Sequence, residues 1–344
     1  MVPVPRIGRL PSGARDAITD VAGVTVGHAT LDEGEVQTGV TVVLPHGGDP
    51  YLRRVPAGFA VLNGFGKSVG LMQVEELGVL ETPIALTNTF SVPAVAAAQI
   101  RQCVAANPEC GRDLPTVNPL IFECNDGFLN DIQRMAVTEA DYVRAWFGAD
   151  EVFAQGSVGA GRGMSAFGLK GGVGSASRCV AIGDGTFTVG ALVLANYGRP
   201  EQLTVAGDAW GPRLAAQLGA MDAGPEKGSI IMLLATDAPL DARQLRRLAL
   251  RAGAGLARTG SVFGHGSGDI ALAFSTAYIL PQRADAPMPA VALLHDALLD
   301  PLFQAAADST EQAILHALWR AETVTGRDGH VRRALRNMLP LPTN

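Results

Sequence analysis

Ala257-Arg258-Thr259-Gly260-Ser261-Val262-Phe263-Gly264-His265-Gly266-Ser267-Gly268-Asp269 is the stretch on which the rest of the chain turns, and the Gly260–Ser261 peptide bond is its centre. Glycine has no Cβ, so it permits a twisted backbone and leaves its carbonyl open to attack. The hydroxyl of the next residue can reach that carbonyl. Scission there would make Ser261 a new N-terminus. Its α-amino group, with a pKa of about 7.7–8.0, could then act as base beside its own nucleophile. The plain alternative is a Gly-Ser turn between a helix and a strand, since both residues are ordinary in turns.

The flanks fit either reading. Residues 241–257 predict a helix with Leu245, Leu248 and Ala249 on one face and Arg243, Arg246, Arg247 and Arg251 on another. Residues 269–276 predict a strand, and a long helical region starts at Asp296, breaks near Pro301 and runs through residues 309–323. Earlier in the chain, residues 17–28 read as a turn feeding a strand. Further strands are expected at 38–44, 83–89, 119–123, 175–182, 187–196 and 229–236, and helices at about 92–106 and 139–147. The strand at 119–123 delivers Glu123 into Asn125-Asp126-Gly127. Eight glycines fall between Gly156 and Gly174, and the polar, proline-bearing stretch 199–227 reads as an insertion or lid. Strands and helices come in runs without strict βαβ alternation, which favours an α+β, αββα-sandwich architecture over a doubly wound sheet. No repeat or linker divides the chain, so a single domain over 1–344 is expected.

At 344 residues and 47% hydrophobic content, the chain can bury a large core. Its formal charge of −6 comes without a long basic run, which gives no support to a nucleic-acid or membrane-surface partner. Cys103, Cys110, Cys124 and Cys179 show no CxxC spacing and read as reduced, mostly buried thiols. The start, Met1-Val2-Pro3-Val4-Pro5-Arg6, has no apolar leader core, and no apolar run reaches the ~18 residues of a membrane span. A soluble, cytoplasmic protein is the expectation.

Several chemistries compete for this chain. Gly64-Phe65-Gly66-Lys67-Ser68 imitates the end of a P-loop, but Val61 stands where the leading glycine belongs. Gly159-Ala160-Gly161-Arg162-Gly163 lacks the last glycine of a dinucleotide fingerprint. The histidines, His28, His46, His265, His295, His316 and His330, form no HxH or HExxH pair. His28 and His46 both read as strand ends that could meet, although turn histidines bonded to backbone are commoner. Neither Gly266-Ser267-Gly268 nor Gly228-Ser229 completes the GxSxG of a serine-hydrolase elbow. Ser261 with its own amine is the most economical catalyst left.

The chain also resembles the DmpA/BapA-type aminopeptidases, self-processing hydrolases of the N-terminal-nucleophile kind. The resemblance runs through Glu81-Thr82-Pro83-Ile84, Asn88-Thr89, Glu123-Cys124-Asn125-Asp126-Gly127, Gly159-Ala160-Gly161 and Lys170-Gly171-Gly172. It continues in Ala195-Asn196-Tyr197-Gly198, Gly228-Ser229-Ile230-Ile231, Ala235-Thr236-Asp237-Ala238-Pro239, Gly255 to Ser261 and Gly266-Ser267-Gly268-Asp269. It implies cleavage at Gly260–Ser261 into an α chain of residues 1–260 and a β chain of 261–344. Ser261 matches the nucleophile, and Ser309 and Glu311 match the pair that orients the nucleophile and its amine. Asn196 matches the oxyanion-hole amide, and Glu123 the acid that grips the substrate's free ammonium. Asn125, in the same substrate pocket, stands where a family member carries an aromatic, which implies a different acyl pocket.

The resemblance further implies no metal or organic cofactor, small peptide, amide or ester substrates with a free amine, and homo-oligomers, tetramers of processed protomers. Each residue has a plainer reading. Asp308 and Glu311 would make a capping box before an apolar helix. Glu123 could pair with an arginine, and Asn196 could be a strand-end turn residue. Two other functions use the same scaffold: an endo-acting hydrolase of amide oligomers, and an unprocessed, non-catalytic binding protein.

Overall fold

A computed structural model describes residues 3–219 and 228–341. Along the chain the strands are β1 (Thr25–Glu33), β2 (Val36–Leu44), β3 (Arg53–Gly64), β4 (Val79–Leu80), β5 (Ile84–Asn88), β6 (Leu120–Cys124), β7 (Ser165–Ala166), β8 (Leu169–Lys170), β9 (Gly172–Ile182), β10 (Gly185–Asn196), β11 (Thr204–Val205), β12 (Asp208–Ala209), β13 (Ser229–Thr236), β14 (Gly268–Ser275), β15 (Leu280–Pro281), β16 (Val324–Thr325) and β17 (Val331–Arg332). The helices are α1 (Leu71–Leu77), α2 (Val92–Ala106), α3 (Glu139–Phe147), α4 (Gly211–Leu218), α5 (Ala242–Arg258) and α6 (Asp300–Arg320).

One sheet has the order β1-β2-β5-β6, and the larger runs β15-β3-β14-β13-β10-β9 with β4 beside β3. Successive side chains of a strand point to opposite faces, and that period decides the stacking. In β10, Ala191, Val193 and Ala195 share a core with α5 and α6 residues such as Leu245, Leu248, Ala305 and Leu315. The intervening Leu192 and Leu194 meet Val43, Ile84, Leu86 and Phe122 of the smaller sheet. On that sheet's other face, Val40, Val42, Ala85 and Ile121 pack with Val95 of α2 and Tyr142 of α3. The layers are therefore helix, sheet, sheet, helix, the αββα arrangement the sequence predicts. Truncating a fully buried leucine in the central layer, such as Leu194, would cost about 2–5 kcal/mol.

Two strand pairs are parallel, β5–β6 and β13–β14, and each is joined by a helical crossover, α2 and α5 respectively. The α5 crossover begins with a reciprocal cap: Asp241 accepts the Gln244 N–H at 2.7 Å, and Gln244 accepts the Asp241 N–H at 3.1 Å. This crossover carries the Gly260–Ser261 bond between the end of α5 and the start of β14.

The structure corrects several expectations. Helix α6 is continuous through 309–311, because Pro301 sits in its first turn, where a missing N–H costs nothing. Asp308 and Glu311 are thus mid-helix, and the capping-box reading fails. Of the stretch 199–227, residues 220–227 lie outside the described residues. The described part is anchored, with Leu203, Val205 and Leu214 buried in the core beneath α5 and α6, so it is not a loose lid. Strand β3 was not anticipated at all. His28 lies inside β1, not at its end, and bonds Thr41 Oγ1 at 2.9 Å and the Ala154 carbonyl at 3.0 Å. His46 bonds the Arg53 carbonyl and the Gly48 N–H, so the two histidines do not meet. Cys103, Cys110 and Cys124 are buried free thiols, and Cys179 is half-buried. Among the described residues, no helix is long and apolar enough to cross a membrane.

Candidate active site

Strand register brings the site together. Asn196 pairs with Ser229 across β10–β13, Asp269 pairs with Ile230 across β13–β14, and Asn63 of β3 pairs with Asp269. These residues line one end of the larger sheet's central strands. The smaller sheet ends alongside, with Thr87 opposite Glu123 and Asn88 opposite Cys124. The two ends are tied where Asn196 Nδ2 donates to the Asn125 carbonyl at 2.9 Å.

The Gly260–Ser261 junction is pinned on both sides. Thr259 Oγ1 donates to the Leu256 carbonyl at 2.7 Å and pairs with the Tyr197 hydroxyl at 2.7 Å. The Thr259 carbonyl in turn accepts the Thr204 N–H at 3.0 Å. Gly260 has φ +102°, and a Cβ there would collide with the Gln202 carbonyl, so the position admits only glycine. Ser261 is half-buried, and its Oγ accepts the Phe263 N–H at 3.2 Å. Beyond it, Asn63 Nδ2 donates to the Gly264 carbonyl at 3.0 Å and to the Ser267 carbonyl. Ser229 Oγ accepts the Gly268 N–H at 3.0 Å, which fixes the entry to β14.

Glu123 closes β6 one residue before its end and is only 3% exposed. Oε1 accepts the Lys67 N–H at 2.8 Å, and Oε2 accepts the Thr89 hydroxyl. Its neighbours are neutral donors and not an arginine, so the plainer reading of Glu123 does not hold. Hydrogen bonds to an ionised carboxylate are about twice as strong as neutral ones, and they orient this acid without neutralising it. Asn125 is exposed, its Oδ1 accepting the Gly127 N–H at 2.9 Å. Asn196 is the last residue of β10 and is buried. Its Oδ1 accepts the Ser165 N–H at 2.8 Å. Bonds at both ends of the amide fix which end is nitrogen, and one Nδ2 hydrogen remains beyond the bond to Asn125.

Ser309 and Glu311 reach the junction differently. Helices α5 and α6 approach so closely at Gly255 that a Cβ there would strike the Ala307 carbonyl and come within 3.0 Å of the Glu311 nitrogen. Ser309 Oγ bonds back to its own helix at the Ala306 carbonyl, 3.3 Å away. Glu311 Oε2 lies 3.5 Å from Arg258 Nη1, which also bonds Asp308 Oδ1 at 2.7 Å. Burial pushes the Glu311 carboxyl above its ordinary pKa, and Arg258 opposes that rise. Asp308, Glu311 and Arg258 line a cleft of about 550 Å³ together with Arg6, Gly8 and Gln304.

The structure thus brings Glu123, Asn125 and Asn196 together, and joins them to Gly260 and Ser261 through Tyr197 and Thr259. It attaches Glu311 to the same junction by way of Arg258, whereas the Ser309 hydroxyl is turned to the Ala306 carbonyl, and neither is bonded to Ser261 in the uncut chain. Sequence reasoning missed Thr89, the Lys67 N–H and Asn63 as ligands of these groups. Asn63 lies near the end of β3, a strand the sequence conceals, so its position carried no signal.

The profile of peptidase family S58 matches residues 16–332. The chain belongs to that family. Similar proteins extend over almost all of it. β-Peptidyl aminopeptidase BapA from Sphingosinicella microcystinivorans is 39% identical over 348 residues, covering 94% of this chain and 86% of that protein. The PH0078 protein from Pyrococcus horikoshii OT3 superposes with a TM-score of 0.91 at 47% identity, covering 98% and 96% of the two chains. L-aminopeptidase D-Ala-esterase/amidase from Ochrobactrum anthropi, a prototype of the serine aminopeptidases and a variant of the Ntn hydrolase fold, superposes at 0.89 with 37% identity over 98% and 96%. This S58 peptidase has that Ntn-type α+β fold and is a hydrolase of the aminopeptidase kind.

Proposed function

We propose that this chain is a self-cleaving serine aminopeptidase that removes the N-terminal residue from small peptides, amides or esters. The observation that carries it is the Gly260–Ser261 peptide, held in a conformation open only to glycine and tied by the Thr259–Tyr197 bond to the end of β10 that carries Asn196. Attack of Ser261 Oγ on the Gly260 carbonyl converts the peptide to an ester. The C–N bond breaks as that ester forms, freeing the Ser261 α-amine, and water then hydrolyses the ester to release the Gly260 carboxylate and restore the Ser261 hydroxyl, giving chains 1–260 and 261–344. In turnover the substrate's ammonium pairs with Glu123, whose oxygens are held by Lys67 and Thr89. Ser261 Oγ bonds to the substrate carbonyl carbon, its proton passing to the α-amine and then to the leaving amine as the amide C–N bond breaks. The free Nδ2 hydrogen of Asn196 faces the developing oxyanion, a contribution of about 10²–10³ in rate. Water hydrolyses the acyl-enzyme. Ser309 and Glu311 orient the nucleophile and its new amine, and Asn125 lines the acyl pocket.

The Glu123 role is tested with a free-amine anilide and its N-acetyl form. Only the free amine should be turned over, and Glu123→Gln should lower its kcat/KM about 10²–10³-fold, the scale for losing one partner of a buried charge pair. Equal rates on both substrates would favour the endo-acting hydrolase instead. We also propose that processed protomers assemble as a homo-tetramer in the cytoplasm. The exposed Ile100, Val104, Val143 and Phe147 on the paired helices α2 and α3 support an assembly. Light scattering that returns the mass of one protomer would remove that proposal.

A further inference from the structure

Lys170 is fully buried, and its Nζ donates to the carbonyls of Gly161 at 2.7 Å, Met164 at 2.8 Å and Gly171 at 3.0 Å. Three N–H donors meet three carbonyls, so the group is satisfied as an ammonium. The cost is real, since desolvation pushes its pKa well below that of an ordinary lysine. An apolar side chain of similar length would avoid that cost. The compensation lies in what the three carbonyls belong to.

They belong to the segment 161–171, which wraps the end of β10. The Gly171 N–H bonds the Met164 carbonyl at 3.0 Å, and Ser165 pairs with Lys170 across β7–β8. From this closed loop two backbone donors reach β10: the Phe167 N–H bonds the Tyr197 carbonyl at 2.9 Å, and the Ser165 N–H bonds Asn196 Oδ1 at 2.8 Å. The second bond dictates the orientation of the Asn196 amide. Without it, Oδ1 loses its donor and the amide is free to turn its nitrogen away from the reacting carbonyl.

We propose that Lys170 is a positioning residue for the oxyanion amide, its ammonium closing the 161–171 loop so that the Ser165 N–H holds Asn196 in the productive orientation. This rests on the role of Asn196 given above. Lys170 touches neither substrate nor nucleophile and acts only through Asn196.

The test is a double-mutant cycle on kcat and KM for a free-amine anilide, with rates referred to cleaved enzyme. Lys170→Met should lower kcat about 10²–10³-fold with KM nearly unchanged, the scale of a lost oxyanion donor. Lys170→Gln, which retains two donors, should lose less. The double variant Lys170→Met/Asn196→Ala should be no slower than Asn196→Ala alone, because both remove one interaction. Multiplying losses would overturn the proposal, as would full kcat in Lys170→Met. Failure of both Lys170 variants to fold would also overturn it, making the cage a requirement of the fold and not of Asn196. Unimpaired kcat in Asn196→Ala would instead remove the oxyanion role on which the proposal rests, and that single variant reads it separately.

Discussion

Glu123 and Glu311 are both buried carboxylates of the site, yet they are surrounded very differently. Glu123 takes a backbone N–H and a hydroxyl, leaving its charge for an incoming cation. Glu311 already faces Arg258, which it shares with Asp308. Ser309, two residues earlier in α6, spends its hydroxyl on its own helix, and Ser261 spends its Oγ on the Phe263 N–H. On the roles proposed above, the end that recognises an amine is built by the fold before any bond is cut. On the same proposal, the end that supplies the nucleophile acquires its base only by scission, and its groups must then change partners.

Ser261→Ala breaks that contrast most strongly. It should leave the chain whole and reduce turnover by roughly 10⁶-fold, the scale for losing a catalytic nucleophile. Because Glu123 is untouched, calorimetry should still record wild-type affinity for a free-amine ligand. Loss of that affinity would mean the two ends are not built separately.

Gly260→Ala sharpens the contrast from the other side. A Cβ at 260 would overlap the Gln202 carbonyl, so the backbone must shift there in addition to bearing the roughly 1–3 kcal/mol strain of a positive φ. Self-cleavage, followed by electrophoresis, should slow by about tenfold or more, while kcat per cleaved enzyme stays unchanged. A fall in kcat per cleaved enzyme would give Gly260 a part in turnover that the geometry does not assign.

Much of this was legible in the chain itself. Asp241 and Gln244 announce the start of α5, and the near-continuous apolar runs of β10 and β13 announce strands buried on both faces. Strand β3 was illegible because Pro56 and Gly58 argue against a strand; Pro56 is tolerated where it pairs only with the two-residue β4. Asp308 and Glu311 imitated a cap because spacing cannot say where a helix begins, and Pro301 set that start a full turn and more earlier. The ligands of Glu123 were hidden for another reason. Lys67 acts through its backbone N–H, which no side-chain pattern records, and the Lys170 cage is likewise made of carbonyls.

The smallest expected effect concerns Asp126, beside Asn125 on the recognition end. Burial raises its pKa from 3.8 to about 7, and its Oδ2 is buried without a partner. The folded state therefore binds this proton more tightly than the unfolded state. Its stabilising contribution is full below about pH 4 and is lost as pH rises through about 7, an effect of a few kcal/mol at most. Asp126→Asn should flatten the fall in Tm expected of the wild type between about pH 4 and 7. An unchanged slope would show that another group titrates there.

The central claim is best tested by intact-mass analysis of purified enzyme alongside its turnover. Two polypeptides joined only by non-covalent contacts, the shorter beginning at Ser261, are expected in every active preparation. Full activity in a preparation that contains only the unbroken 344-residue chain would contradict it.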